Sequence, residues 1–340
     1  MKTPLTLWFI FFTTENTEKN HRVSRSKKMK LLSSHSTYRA NGKLLLTGEY
    51  LVLHGAKAIA VPLNVGQQMV VSNTNSSDTL HWLAFYKNQV WFSCELNSED
   101  FSVRNTSHPE KSEALSQIFK TIKSLNPEFA LKAGSKFETI LESSPEWGFG
   151  SSSTLISLLS QWAGVDPFKL NELVFNGSGF DIACATADGP IFYAKNKPVQ
   201  RISLNYPFAD QLFLVYSGRK KRTAIEVNAF LKEKKVSDQM IDEISLLTDE
   251  FSVCRDQDEF NLLIRLHEQL ISKVIGRISV KPEYFGDFKG EVKSLGAWGG
   301  DFFLVSSNKL TFDEVRKYFE KKGLMTVFKW HDLILKRQQP

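Results

Sequence analysis

The sequence has 340 residues, of which 24% are charged and 42% hydrophobic, as in an ordinary soluble globular protein. Its formal net charge is +6, but residues 1–28 carry six Lys or Arg against two Glu, so the remainder is nearly balanced. That balance excludes the basic surface that nucleic-acid-binding proteins use. The three cysteines lie far apart, which excludes a zinc motif or a small disulfide framework and favours a reduced, cytoplasmic setting.

The first 28 residues differ from the rest of the chain. The apolar run Leu5–Phe12 has eight residues, too few to span a bilayer, and no small-residue cleavage site follows it. We predict a disordered extension at residues 1–28, read from a start upstream of Met29, with export as the alternative. No membrane partner is expected.

Short runs of alternating apolar and polar residues predict a series of strands between Tyr38 and Leu96. Such alternation is what a half-buried antiparallel sheet requires. A tight turn at Lys87-Asn88 joins the last two strands of the series. The predicted strands are 43–47, 51–53, 58–61, 68–73, 79–86 and 89–95.

Helical spacing of apolar residues begins near Leu115 and returns after residue 150. Asp166-Pro167 marks a helix start, because Asp is a favoured N-cap and Pro a favoured first residue. The later predicted strands are 136–141, 191–194, 211–216, 302–306 and 325–330. The later predicted helices are 152–163, 223–234, 238–253, 257–275 and 311–322.

This order of elements, strands first and mixed elements later, predicts the α+β fold class with two lobes. We place the boundary near residue 200, which gives an N-terminal domain over 29–200 and a C-terminal domain over 201–340.

Three glycine-rich loops interrupt the pattern, and the most informative is Pro145–Thr154, between a strand and a helix. Glycine lets the backbone approach a ligand closely, and the first turn of a helix presents unpaired N–H groups at the positive end of its dipole. Such a loop is an anion site, and phosphate is its usual anion. Simple capping of the helix by serine is the alternative. The second and third loops are 176–181 and 296–301.

Phosphoryl transfer needs backbone donors around the phosphates, a cation, metal ligands and a group that orients or deprotonates the acceptor. Lys43, Ser152 and Asp181 are of the types that fill these roles, although spacing alone does not show that they meet. The alternatives are a surface position for Lys43 at a strand end and a helix-capping role for Asp181.

Four segments resemble the motifs of the GHMP small-molecule kinases, in the family's order. Residues 40–50 resemble the first motif, 145–154 resemble the ATP-binding motif Gly-Leu-Gly-Ser-Ser-Ala, and 295–300 resemble the third, a Gly-Ala-Gly-Gly-Gly run. Gly179–Ala183 is similar to a Gly-Tyr-Asp-Ile-Ala block of a bacterial subgroup near mevalonate and phosphomevalonate kinases. The resemblance covers about residues 37–330 and implies the family's fold, an N-terminal mixed sheet with helices and a C-terminal α/β lobe.

The resemblance also implies roles. Asp181 would hold or deprotonate the acceptor hydroxyl, Lys43 would stabilise the transferring phosphoryl group, and ATP and Mg²⁺ would be the cofactors, with Ser152 as a metal ligand. The residues implied to wrap the ATP phosphates are Gly148, Gly150, Ser151, Ser152 and Ser153. The residues implied near the acceptor or under the phosphates are Glu49, His54, Thr223, Gly296, Gly299 and Gly300.

The chain departs from the family pattern at the metal site. Ser152 and Asp181 are closer in sequence than in typical mevalonate kinases, and the missing segment normally contributes a glutamate that binds Mg²⁺. Glu172 is the nearest replacement and Asp188 is a second. Trp298 also stands where the third motif has glycine.

These features favour an ATP- and Mg²⁺-dependent kinase that phosphorylates an alcohol on a small molecule, with mevalonate as the best single acceptor. The basic cluster Arg219–Arg222 keeps phosphomevalonate as a second possible acceptor. A diphosphomevalonate decarboxylase and a catalytically silent nucleotide-binding protein would share the same motifs. The apolar stripe between Leu262 and Val274 is either core or a homodimer contact.

Overall fold

The computed structural model describes residues 36–73, 78–129, 134–218, 230, 236–296 and 300–336. Residues His35–Pro340 cluster as one compact unit, and Met1–Ser34 lie outside the described residues. The predictions for residues 1–28, for 219–222, for Thr223 and for Gly299 also fall outside them. The predicted domain boundary near residue 200 stays a prediction.

A mixed eight-stranded sheet forms the N-terminal half of this unit. Its order is β5-β4-β3-β6-β2-β7-β8, and β1 pairs with β2 off this path. All neighbours are antiparallel except β3 and β6, which are parallel because a helix returns the chain between β5 and β6. The strands are β1 Ser36–Leu45, β2 Ala58–Asn73, β3 Thr79–Tyr86, β4 Gln89–Asn97, β5 Val103–Thr106, β6 Ser135–Leu141, β7 Ile191–Tyr193 and β8 Gln200–Arg201.

Four helices pack on this sheet and form one apolar core with it. The ring of Phe137 on β6 lies 5.4 Å from Trp82 and 4.8 Å from Trp162, measured between centroids. Because Trp162 belongs to the helix that follows the loop 145–154, these contacts fix that helix on the sheet. The helices are α1 Pro109–Leu125, α2 Ser151–Ala163, α3 Pro167–Phe175 and α4 Phe180–Ala185.

A four-stranded antiparallel sheet, in the order β10-β11-β9-β12, forms the C-terminal half. Every residue of β10 and β11 is buried; β11 is an apolar run, whereas β10 buries Glu291, Lys293 and Ser294. The strands are β9 Leu212–Tyr216, β10 Glu291–Leu295, β11 Phe302–Ser306 and β12 Val327–Lys329. The later helices of the described residues are α5 Asp238–Val253, α6 Gln257–Ile275, α7 Val280–Tyr284, α8 Phe312–Lys321 and α9 Trp330–Leu333.

The structure confirms the predicted α+β architecture and most of the predicted elements. Helices α5 and α6 begin and end at the predicted residues, and Asp166 caps α3 with Pro167 as its first residue. The Lys87-Asn88 turn has positive φ at both residues, 50° and 62°, as a tight hairpin turn requires.

Two strand predictions are wrong. Residues Leu51–His54 form a short 3₁₀ helix, because Gly48 and Tyr50 adopt positive φ and turn the chain out of β1. The predicted strands 58–61 and 68–73 are one continuous strand, because the residues between them continue to pair with β1 around a bulge at Gly42.

One apolar cluster contains residues of both sheets, among them Leu44 and Val61 from the first and Leu214 and Phe302 from the second. Loops at the ends of β1, β6 and β10 are therefore anchored in a common core. Across the described ranges, no helix has the length and apolarity needed to cross a membrane.

Candidate active site

The irregular pairing of β1 with β2 at Gly42 brings Lys43 against the loop 145–154. The register of β1 on β2 shifts between Asn41 and Lys43, and the Lys43 N–H leaves the sheet to donate to the Phe149 carbonyl at 3.0 Å. A Cβ on Gly42 would lie 2.8 Å from the Val65 carbonyl oxygen, so only glycine fits at this crossing. A backbone hydrogen bond thus joins the first and second motifs.

The loop 145–154 has the geometry of an anion-binding helix start. Gly150 is the N-cap of α2 with φ +89°, and no side chain caps this helix. The Ser153 hydroxyl turns back to donate to the Gly150 carbonyl at 2.8 Å, whereas Ser152 is exposed on the first turn. The first N–H groups of α2 therefore remain available to a ligand.

Aromatic packing on the second sheet holds this loop in place. Phe149 stacks on Phe302 of β11 with centroids 4.7 Å apart, and Trp147 packs edge-on against Phe328 of β12 at 5.2 Å. The Tyr216 hydroxyl donates to the Glu146 carbonyl at 3.3 Å. Trp147 and Phe149, on either side of Gly148, therefore anchor the loop on the second sheet.

The side chain of Lys43 runs from this loop towards α4. A Cβ added to Gly150 would lie 3.1 Å from both Cγ and Cε of Lys43, so the lysine stem passes directly over the glycine. Its ammonium lies 5.4 Å from the centroid of the Phe180 ring, a cation–π contact at the first residue of α4. Lys43 is therefore not a free surface lysine.

Asp181 follows Phe180 in the first turn of α4. Gly179, with φ +92°, is the N-cap of this helix, so Asp181 does not cap it, and its Oδ1 accepts from the Ile182 N–H at 3.1 Å. Burial raises the pKa of the Cys184 thiol one turn later, Asp181 adds to the rise and Lys43 opposes it. Both charges thus act on the same point, yet no ion pair in the described part of the chain joins Lys43 to Asp181.

Tyr193 supports the turn that carries Asp181, although no sequence motif includes it. Its hydroxyl donates to the Ser178 carbonyl at 2.5 Å. A Cβ on Gly179 would lie 2.6 Å from the Tyr193 hydroxyl oxygen. Burial raises the pKa of Tyr193 to about 12, and the negative charge of Asp181 contributes. The turn before α4 is therefore held by the strand β7.

The third loop reaches the site through Asp301, which lies just outside the third motif. A Cβ added to Gly148 would lie 1.8 Å from Asp301 Oδ2, so this carboxylate lies against the loop 145–154 at a glycine with φ +65°. At the two ends of the third loop, Gly296 has φ +81° and the Gly300 N–H donates to Ser294 Oγ at 3.3 Å. The position of Asp301 directly after Gly299-Gly300 is the only sequence signal for it.

The structure does not present Glu49 or Glu172 to this site. Glu49 is buried, with 3% of its side chain exposed, and pairs with Lys293 of β10 and with His267 of α6. The carboxylate of Glu172 binds Lys169 at 2.8 Å on the exposed face of α3. Direct roles for these two residues stay predictions that the geometry does not support.

His54 lies at the exposed end of the short 3₁₀ helix, edge-on to Phe230 with centroids 5.8 Å apart. Its predicted role near the acceptor stays a prediction. So do the phosphate-binding roles of Gly148, Gly150, Ser151, Ser152 and Ser153 and the catalytic roles of Lys43 and Asp181, although the structure brings their backbones and side chains together as the motifs predict.

Comparison of sequences finds no protein-family model and no curated protein that matches this chain. Comparison of structures finds mevalonate kinase from Methanococcus jannaschii, with a TM-score of 0.65 and 20% identity over 87% of this chain and 98% of that one. It also finds phosphomevalonate kinase from Streptococcus pneumoniae in complex with phosphomevalonate and AMPPNP (0.64, 14%, 86% and 99%). Lactococcus lactis galactokinase complexed with galactose is a third (0.63, 11%, 89% and 94%).

Identities this low establish the fold and leave the substrate open, since the three proteins are named for different substrates. All three are GHMP kinases, the family that the four motifs resemble. The fold class predicted from the motifs is confirmed: this chain has the fold of the GHMP small-molecule kinases.

Proposed function

We propose that this protein is an ATP-dependent kinase that phosphorylates an alcohol group of a small molecule, with mevalonate as the first acceptor to test. One observation carries the proposal: Lys43 lies along Gly150 of the anion-binding loop and ends beside the turn that bears Asp181. A phosphate site, a cation and a carboxylate therefore converge, as phosphoryl transfer requires.

The loop 148–153 would bind the phosphates of ATP through backbone N–H groups. Gly148 and Gly150 have positive φ and no Cβ, so the chain can curve around an anion, and α2 directs its N-terminal dipole at the same place. These donors bind the phosphates of every nucleoside triphosphate, and the phosphate site alone does not discriminate between bases.

Lys43 and Asp181 would act on the two ends of the transfer. Asp181 accepts the proton of the acceptor hydroxyl while that oxygen bonds to the γ-phosphorus, and the bond from the γ-phosphorus to the bridging oxygen breaks to release ADP. Lys43 offsets the negative charge on the transferring group. In the proposed transfer the acceptor oxygen lies between the two charged groups, and positioning with electrostatic stabilisation supplies most of the rate.

Magnesium bound to ATP neutralises charge on the phosphates, and the residues predicted to hold it fit only in part. The Ser152 hydroxyl is exposed on the first turn of α2, but the Glu172 carboxylate is paired with Lys169. Within the ranges that the structure describes, no group of three or more His, Cys, Asp or Glu side chains is arranged to hold a metal ion. A magnesium requirement therefore stays a prediction, and the roles of Lys43 and Asp181 do not depend on it.

The acceptor is proposed on the motif resemblance and on the fold neighbours. Mevalonate kinase and phosphomevalonate kinase both share the fold at similar TM-scores, and the basic cluster 219–222 that would favour a phosphorylated acceptor lies outside the described residues. The Gly179–Ala183 block resembles a subgroup near both kinases and does not decide between the two acceptors, so mevalonate is tested first and phosphomevalonate is the second candidate.

A coupled ADP-release assay tests the proposal, with ATP and Mg²⁺ against mevalonate, phosphomevalonate, homoserine and galactose. We expect release that depends on one acceptor and exceeds the rate without acceptor at least a hundredfold. Carbon dioxide release from diphosphomevalonate would instead identify a decarboxylase. ATP binding with no acceptor-dependent ADP release from any compound would contradict the proposal and favour a silent nucleotide-binding protein.

A further inference from the structure

Four ionisable side chains are buried together behind the candidate active site. They come from three separate parts of the chain, and each has at most 4% of its surface exposed. Burying charged groups costs free energy that hydrophobic residues of the same volume would not cost. Stability alone therefore does not account for a cluster of buried ionisable side chains, and the segment that the cluster contacts indicates its role. The four residues, called here the buried cluster, are Glu49, His267, Glu268 and Lys293.

Contacts within the buried cluster converge on the turn after β1. The Lys293 ammonium donates to Glu49 Oε1 and, at 3.0 Å, to the Ser294 carbonyl. The second carboxylate oxygen of Glu49 lies 3.1 Å from His267 Nε2. The Gly48 N–H donates to the same nitrogen at 3.2 Å, so two consecutive residues of the turn are held by α6 and β10.

The turn that these contacts hold has a strained backbone. Tyr50 has φ +63°, an unfavourable value for a residue with a large side chain. Gly48 has φ +81°, and a Cβ there would lie 2.8 Å from the Cβ of Ala58. Strain of this kind persists only where surrounding contacts over-determine the conformation. We call Gly48–Tyr50 the strained turn.

The strained turn lies between two elements of the proposed active site. It begins five residues after Lys43, forms the end of the first motif and leads to the exposed His54. Lys293 lies on β10, whose next residue, Ser294, accepts from the Gly300 N–H of the third loop. The Glu49–Lys293 contact therefore links the first motif to the strand that leads into the third.

Charges facing the buried cluster are balanced. Burial alone would raise the pKa of Glu49, but Lys293 and His267 outweigh it and hold that pKa below its ordinary value. Burial and Lys293 lower the pKa of His267, and burial raises the pKa of Glu268 to about 8. The Glu49 carboxylate therefore faces the Lys293 side chain directly, whereas the shifts of His267 and Glu268 both favour their neutral forms. Glu291, on the same strand as Lys293, pairs with Arg265 of α6 and with Lys281 of α7.

We propose that Lys293 and His267 are positioning residues for phosphoryl transfer, which hold the strained turn against β10 and so keep the first and third glycine motifs in register around the acceptor. The inference rests on the proposed function for its kinetic consequence. Its structural consequence, a turn that depends on the buried cluster, does not require the acceptor to be known.

The test compares a double variant that removes the charges of Glu49 and Lys293 with a control variant in a neighbouring ion pair. Glu49→Gln combined with Lys293→Met leaves no unpaired buried charge, so the double variant should fold. Lys281→Met is the control, because it removes the partly exposed partner of Glu291, which keeps Arg265 as a second partner. Hydrogen–deuterium exchange of the segment 46–56 reports on the turn without any substrate.

We expect the double variant to exchange at residues 48–53 at least tenfold faster than the wild type, with unchanged exchange in β3 and β6, while Lys281→Met matches the wild type. With the acceptor found by the ADP-release assay, kcat should fall about tenfold and the ATP affinity should stay within twofold. Wild-type exchange at 48–53 together with wild-type kcat would overturn the inference. If the wild type phosphorylates none of the acceptors, the proposed function fails, and the exchange result still decides whether the buried cluster holds the strained turn.

A second pair of variants decides the matter if the double variant does not fold. His267→Gln keeps an acceptor for the Gly48 N–H, whereas His267→Leu removes it at similar volume. We expect fast exchange at residues 48–53 in His267→Leu and protection near the wild-type level in His267→Gln. Equal protection in both variants would contradict a positioning role for His267.

Discussion

Two pairs of a lysine and a carboxylate lie in or near the glycine-rich motifs, and they differ in burial and in contact. Lys43 and Asp181 are half-exposed, come from different elements and form no ion pair with each other, since the Lys43 ammonium faces the Phe180 ring. Lys293 and Glu49 are fully buried and in direct contact. In the site proposed above, the charges that would act on a substrate are kept apart, whereas the buried charges of Lys293 and Glu49 lie in contact with each other.

This contrast predicts that the two pairs fail differently. Loss of a group from the separated pair should remove turnover and leave the fold intact, whereas loss of a group from the buried pair should damage the fold first. A series of variants tests this difference, from the largest expected effect on the protein to the smallest.

Lys293→Met should be the most destabilising of these changes, by about 3–5 kcal/mol in the free energy of unfolding, because it leaves the Glu49 carboxylate buried without its cation. The matched control is Lys57→Met, which breaks a half-exposed pair with Asp249 and should cost at most about 1 kcal/mol. Chemical denaturation of both variants checks this. Equal costs for the two would contradict the contrast between buried and exposed pairs.

Gly148→Ala should be the next most damaging, because its Cβ would meet the Asp301 carboxylate in addition to requiring φ +65°. Gly164→Ala provides the control: its φ is +64°, and its Cβ would meet nothing within 4 Å among the described residues. We expect about 1 kcal/mol for the control and about 1–3 kcal/mol more for Gly148→Ala. ATP affinity, measured by calorimetry, should fall at least tenfold only in Gly148→Ala.

A smaller loss of stability in Gly148→Ala than in Gly164→Ala would show that Asp301 does not lie against the loop 145–154. The link between the second and third motifs would then be wrong.

Much of this arrangement follows from local sequence. The periodicity of apolar residues predicts α5 and α6 to the residue, and the glycine-rich segments predict the loops that converge at Lys43 and α2. These features depend on neighbours within a few turns, which a single sequence records directly.

The supporting residues do not follow from local sequence. Glu49 and Lys293 are separated by 244 positions, and Lys293 looks like an ordinary lysine in a strand until the fold buries it. Tyr193 and Asp301 also lie against glycines, Gly179 and Gly148, in other elements of the chain. The predicted strand 51–53 is wrong for a related reason, since its apolar residues pack around a turn that the buried cluster holds.

Stability should depend on pH through Glu268. Its pKa is raised from 4.5 to about 8, so the folded protein keeps a proton that the unfolded chain releases between these values. The free energy of unfolding should therefore fall as pH rises from about 4.5 to about 8 and level off above that. Glu268→Gln should flatten this part of the curve. Denaturation at pH 5, 6.5, 8 and 9 measures it, and an unchanged slope in the variant would show that Glu268 is not the group responsible.

Tyr193→Phe should have the smallest effect on stability, about 1 kcal/mol for one lost hydrogen bond. Tyr206→Phe is the matched control, because its buried hydroxyl also donates to a carbonyl, that of Phe251 at 2.8 Å. Only Tyr193 supports the turn before Asp181, so only Tyr193→Phe should lower kcat, by about tenfold. The same kcat in both variants would mean that the turn keeps Asp181 in place without this hydroxyl.

Above all, we propose that Lys43, the loop 145–154 and Asp181 form a phosphotransfer site in which Asp181 contacts the acceptor and not ATP. The most direct test measures turnover and ATP affinity in Asp181→Asn, with Asp313→Asn on α8, part of an exposed pair with Arg316, as the control. We predict that kcat falls by roughly 10²–10⁴ in Asp181→Asn with unchanged ATP affinity, and that the control behaves as the wild type. Near-normal turnover in Asp181→Asn would contradict this assignment.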